Sequence, residues 1–274
     1  MARTQVTRGL GSVVEFEDAG LYLPVRERRR GGGRRQRLRR MAGETVQDKV
    51  WQIRDATFSV AEGEAVAIVG YPESGRDILL RLAAGTLLPD AGTVRRSVPV
   101  VGMVGVARAL NRNYTVRQNV HLLGGLLGMT QEEVIPKVPE IIAFAGLEKQ
   151  TDKYLGSIPL AVRIRLAWGI SMATQARAFA VSQVLVVGDP ATREDCWREI
   201  ERRKADGVAF LVTSDRPSDL LRFCDRAILV DKDHALGDMT VADALARLKT
   251  FKRPKAIKQF IDDESSDDAD DEFL

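Results

Sequence analysis

Cysteine is nearly absent. Cys196 and Cys224 are the two in 274 residues, and they show no metal-ligand spacing, so a reducing compartment is the default. The stretch Met1-Ala2-Arg3-Thr4-Gln5-Val6-Thr7-Arg8 lacks the apolar run of a signal peptide. No run approaches the ~18 apolar residues of a spanning helix, so no transmembrane segment is expected. Net charge is small as well, +3, which removes bulk basicity as an argument for nucleic acid.

The charge is instead local. From Arg26 through Arg40, nine Arg stand against one Glu; from Asp262 through Leu274, eight acids stand with no base. A case for nucleic acid would rest on the Arg block alone, and that partner is not expected. With Gly31-Gly32-Gly33 in its middle and no periodicity, the region 26–48 reads as a basic flexible insertion between two strands. It is either a solvated loop or a contact for anionic lipid or polyphosphate, worth about 1 kcal/mol per basic residue near a membrane. Residues 251–274 pass from basic to acidic and hold too few apolar groups to fold.

At 45% apolar composition the rest can bury one substantial core. Strand character is expected over residues 12–22, 51–60, 64–69, 179–181, 184–187, 208–213 and 227–230. Helices are expected over 77–84, 131–147 (with Thr130 as cap and Glu133 three residues on), 166–176 and 197–205. Strands alternating with helices imply an α/β fold with a mostly parallel sheet covered on both faces.

One stretch organises the chain. The apolar Glu64-Ala65-Val66-Ala67-Ile68-Val69 leads into Gly70-Tyr71-Pro72-Glu73-Ser74-Gly75-Arg76-Asp77, and an apolar helical run follows. Strand, glycine turn and helix form the context in which G-x-x-x-x-G-K-[ST] cradles phosphate. Gly70 and Gly75 hold that spacing, but Arg76 stands where Lys is expected and Asp77 where Ser or Thr is expected. A glycine turn feeding a helix presents unpaired N–H groups and a positive dipole end. Asp77 or Glu73 is therefore expected to turn inward and fill the cradle, with Arg76 paired to the same carboxylate.

Further segments point to a family. Gly63-Glu64, Leu82-Ala83-Ala84-Gly85 and Pro89-Asp90-Ala91-Gly92 punctuate the first third of the chain. Tyr114-Thr115-Val116-Arg117-Gln118-Asn119-Val120 follows, then Arg163-Ile164-Arg165-Leu166-Ala167-Trp168-Gly169-Ile170-Ser171-Met172-Ala173. Val187-Gly188-Asp189-Pro190 with Cys196, and Phe223-Cys224-Asp225-Arg226-Ala227, complete the series. In this order, over roughly residues 12 to 248, the chain resembles the ATP-binding subunit of ABC exporters serving capsular and related surface polysaccharides.

The resemblance implies a P-loop NTPase-like ABC nucleotide-binding domain over residues 1–250, with a small helical subdomain at about 108–175. Position by position, it places the adenine-stacking aromatic at Tyr22 and the phosphate loop at Gly70, Ser74, Gly75, Arg76 and Asp77. The metal-organising and catalytic acids fall on Ser182 and Gln183, the signature loop on Pro159, Leu160 and Ala161, and the switch histidine on Asp215. Those substitutions imply lost hydrolysis, with no catalytic residue and no Mg²⁺ expected and only weak ATP binding left open. The implied partners are transmembrane permease subunits, with the chain a homodimer or paired with a competent ATP-binding subunit. The implied location is cytoplasmic, peripheral on the inner (plasma) membrane. A slow working ATPase energising capsular polysaccharide export, and a soluble scaffold using the Arg-rich loop, stand as alternatives.

Overall fold

The computed structural model describes residues 11–24, 49–182 and 190–251. The block from Arg26 through Arg40, Gln183, the expected strand 184–187 and the charged tail beyond Phe251 lie outside the described residues.

β3 (Ala65–Val69) is buried at all five positions. A strand covered by helices on both faces requires this, so its sequence runs apolar without alternation. β7 (Ala209–Thr213) is buried in the same way. Parallel pairing joins β3 to β7 and to β8 (Arg226–Asp231), β7 to β6 (Ala178–Ser182), and β6 to β5 (Val100–Gly102). The other part is antiparallel: β1 (Ser12–Pro24) lies between β2 (Lys49–Ala61) and β4 (Ala91–Arg96). β9 (His234–Met239) joins the two, antiparallel to β8 and parallel to β2. The resulting order is β4-β1-β2-β9-β8-β3-β7-β6-β5.

Helix α1 (Arg76–Ala84) follows the glycine turn and buries Leu79, Leu80 and Leu82 against Phe16, Ile53 and Phe58. The opposite sheet face packs Phe179, Phe210 and Phe223 with Trp168 and Trp197. A third apolar cluster is made by α2 (Val116–Leu126), α3 (Gln131–Val134), α4 (Val138–Ala145) and α5 (Leu160–Met172). α6 (Pro190–Ala205), α7 (Pro217–Phe223) and α8 (Val241–Leu248) complete the described helices. Among the described residues no helix is long and apolar enough to cross a membrane.

Several expected elements shift. The single helix expected over 131–147 is broken into α3, a tight turn at Ile135–Lys137, and α4. Pro136 and Pro139 remove backbone donors that a continuous helix would need. The helix expected from residue 166 begins six residues earlier, at Leu160 directly after Pro159, and the one expected from 197 begins at Pro190. Both thiols are buried enough to be pushed up to about 12, so neither Cys196 nor Cys224 is a thiolate at neutral pH.

Asn119 explains why an amide stands in the Tyr114–Val120 stretch. It is fully buried, and its Nδ2 donates to the carbonyls of Asn111, Tyr114 and Thr115 while its Oδ1 accepts from the Asn111 N–H. Asn119→Leu strands the Asn111 N–H, while the three carbonyls keep the backbone N–H groups of Tyr114, Leu155 and residue 119, so a loss of about 1–3 kcal/mol is expected. A fall in the urea midpoint checks this; an unchanged midpoint would show that the turn re-pairs.

Candidate functional site

The turn after β3 needs both glycines for close approach. A side chain at Gly70 would start 2.5 Å from Ser74 Oγ and 3.1 Å from the Val230 carbonyl oxygen. At Gly75, where φ is 83°, it would start 2.0 Å from the Gln52 carbonyl oxygen on β2. The turn is also partly closed on itself. Pro72–Ser74 forms one 3₁₀ turn in which the Ser74 N–H and hydroxyl both donate to Tyr71 O, at 2.9 and 2.7 Å. These Ser74 donors are therefore used inside the loop.

Arg76 opens α1 and folds back across the turn. It is buried (3% exposed), donates from Nη1 to Gly70 O at 2.8 Å, and donates from Nη2 to Asp215 Oδ1 at 2.6 Å. Its Nε has no acceptor. The carboxylate that pairs with Arg76 is thus Asp215, not the expected Asp77 or Glu73. Asp215 follows the end of β7 and remains half exposed. An exposed carboxylate facing a buried guanidinium keeps its own hydration while neutralising the buried charge, the cheaper way to hold such a pair.

Asp77 points elsewhere. Its Oδ1 accepts from Ser182 Oγ at 3.0 Å, and the Thr213 hydroxyl lies 3.2 Å from both that oxygen and Ser182 Oγ. The strand order explains the meeting. β3, β7 and β6 are adjacent, Ser182 and Thr213 are register partners at their strand ends, and Asp77 enters from the first turn of α1. Ligand sites of parallel sheets lie at these carboxyl ends. Here two hydroxyls and a carboxylate satisfy one another across them.

The other expected site residues are dispersed. Tyr22 pairs with Trp51 across β1 and β2 and meets its ring edge-on at 5.3 Å. It therefore belongs to the hairpin whose Gln52 abuts Gly75. Pro159 caps α5, its carbonyl accepting from Val162 and Arg163, and Leu160 is exposed beside it with Ala161. Among the described residues no hydrogen bond joins these three to the turn. Sequence reasoning missed Thr213, whose only signal is a polar residue closing an apolar strand. It also missed Tyr71, whose hydroxyl donates to the Leu248 and Phe251 carbonyls and ties the turn to the end of α8. Among the described residues, no group of three or more His, Cys, Asp and Glu could hold a metal.

The fold is that of an ATP-binding cassette. A cassette solved as a dimer in a post-hydrolysis state with ADP and Pi superposes with a TM-score of 0.66 at 16% identity, covering 83% of this chain and 98% of the other. A nucleotide-free cassette of an ABC transporter gives 0.61 at 17%, covering 90% and 98%. No family model matches. Sequence relatives narrow the class. The O-antigen export system ATP-binding protein of Klebsiella pneumoniae is 30% identical over 73% of this chain and 81% of its own length. The polysialic acid transport ATP-binding protein of Escherichia coli is 30% identical over 67% and 81%. An ABC transporter protein of Aeromonas salmonicida is 31% identical over 69% of this chain, which spans 61% of that relative. The chain belongs to the ABC transporter ATP-binding subunits, in the branch of surface-polysaccharide exporters.

Proposed function

We propose that this chain is a non-hydrolysing ABC-type subunit of a polysaccharide export transporter, a structural or regulatory partner of transmembrane permease subunits at the cytoplasmic face of the plasma membrane. It works there as a homodimer or beside a competent ATP-binding subunit. Residues 1–250 form the cassette in this reading, with the helical part at about 108–175 and the block from Arg26 through Arg40 against anionic lipid.

The observation that carries the reading is the commitment of Arg76 to Asp215, at 2.6 Å. Phosphoryl transfer needs free cations and donors where charge develops, and a group that orients or deprotonates water. Arg76 is already neutralised. Asp77 adds a carboxylate where Mg²⁺–ATP wants a neutral hydroxyl. At ~4 Å from a phosphate charge this costs about 1 kcal/mol in water and about 4 kcal/mol at an effective dielectric near 20. Ser182 and Gln183, at the positions of the two acids, supply no carboxylate for a metal or a base. The residues present therefore do not fit Mg²⁺–ATP as a working cassette holds it, and no hydrolytic step is assigned to them.

Purified protein is expected to release no phosphate from ATP above background at neutral pH. Magnesium-dependent turnover that vanishes in Arg76→Met would sink the reading and favour the slow ATPase, which draws on the cation retained at Arg76.

A further inference from the structure

We propose that the groove between α4, α5 and α6 is a docking site for this chain's own segment from Lys252 through Ile261, taken up with its apolar side chains inward. The inference goes beyond the reading above and stands whether or not ATP is hydrolysed.

The groove holds about 730 Å³. Its floor is apolar, made by Ile141 and Phe144 of α4, Trp168 and Met172 of α5, and Val208 before β7. Phe144 stacks on Trp168 with ring centroids 5.1 Å apart. Trp168 is 3% exposed, and its buried Nε1 meets no acceptor among the described residues. Buried indole donors ordinarily find a partner, and a peptide carbonyl is the commonest one. The rim is charged, with Glu140, Asp195, Glu199 and Asp206 against Lys137, Arg202 and Arg203. Those cations are already committed. Lys137 Nζ donates to Ala173 O at 2.6 Å, Arg203 donates to the Met172 and Thr174 carbonyls, and Arg202 pairs with Glu199 and Asp206. Glu140 is exposed and in no ion pair among the described residues. An unspent carboxylate beside an apolar floor suits a cation carried on an apolar segment.

The chain supplies such a segment. Phe251 packs on the cluster that holds Trp168, Met172 and Val208, so the chain leaves its described part on the groove's side of the sheet. The residues that follow, Lys252 through Ile261, include Lys252, Arg253, Lys255 and Lys258 and no acid. Ile257, Phe260 and Ile261 stand at the i, i+3, i+4 spacing of one helical face, the pattern of a helix laid in a groove. Ten residues reach about 33 Å when extended, comparable to the diameter of a small domain. From Asp262 onward the acids would be repelled by the same rim, which ends the docking part at Ile261. Occupied in this way, the groove would brace α4 and α5 against α6.

The test uses the full chain. In Ile257→Asp with Phe260→Asp, hydrogen exchange over residues 138–145 and 168–175 is expected to run at least tenfold faster than in the parent. A fluorescein-labelled peptide of residues 252–261 should bind that double variant at least tenfold more tightly than the parent, whose groove is already filled. Adding Glu140→Lys to the double variant should weaken the peptide at least threefold, and high salt should act in the same direction. Glu140→Lys alone, at an exposed position, should also speed exchange in the parent, so the expectation does not depend on the tail variant. Equal exchange in parent and double variant overturns the inference, as does a peptide that binds both alike or neither. Protection that grows with protein concentration would place a second copy's segment in the groove and overturn docking within one chain.

Discussion

A Gly75→Ala chain is expected to lose about 3 kcal/mol or more of folded stability, seen as a large drop in urea midpoint. The added Cβ would sit 2.0 Å from the Gln52 carbonyl oxygen, closer than real contacts allow, at a φ of 83° that L-residues avoid. The obstacle is backbone, so no side chain can swing aside. Gln52 is followed by Ile53, fully buried, and preceded by Trp51, the partner of Tyr22. Retreat of β2 would therefore loosen the β1–β2 pairing and the core beneath α1. Losses of this size belong to overpacked or strained backbone sites. A practical consequence follows: Gly75→Val removes the fold along with the cradle and cannot serve as a dead-site control for ATP turnover, whereas Arg76→Met can. A midpoint unchanged by Gly75→Ala would mean that β2 does not lie on the turn.

The second large effect concerns restoring the site. Arg76→Lys with Asp77→Ser is expected to leave ATP affinity nearly unchanged, while adding Asp215→His raises it at least tenfold. The loop frame alone suggests that the double change suffices. Asp215 alters this, because a Lys ammonium at 76 would still face a carboxylate now held 2.6 Å from the guanidinium. Only the third change frees the cation for phosphate. Turnover should stay at background even then, since Ser182 and Gln183 remain. Titration with a fluorescent ATP analogue, alongside phosphate release, checks both halves. A double variant that binds as tightly as the triple would show that Asp215 does not compete.

The site was legible where chemistry is written in consecutive residues. Gly70 and Gly75 announced a cradle, and Arg76 and Asp77 announced that its two chemical positions had changed. Where each side chain would turn was not legible. Asp77 and Glu73 lie within a few residues of Arg76, and proximity in sequence made them the natural partners. The pair instead forms with Asp215, 139 positions away, because β7 lies directly beside β3. Thr213 escaped notice for the same reason. A hydroxyl at a strand end means little until the strand order sets it 3.2 Å from Asp77. Helix limits failed more locally: Pro136 and Pro139 divide a stretch whose apolar spacing suggested one helix.

By itself, then, the sequence determined the alternation of buried strands and helices, the glycine turn, and the presence of Arg76 and Asp77 after its second glycine. Those features depend on residue type and short spacing, which hydrophobic period and backbone sterics read directly. Only the tertiary structure decided which groups those side chains meet. Adjacent parallel strands brought Asp215, Ser182 and Thr213 to the carboxyl ends of the sheet, and β2 pressed its Gln52 carbonyl onto Gly75. A buried guanidinium takes whichever carboxylate the packing delivers, and that choice is made by strand order across the sheet, which no local pattern encodes.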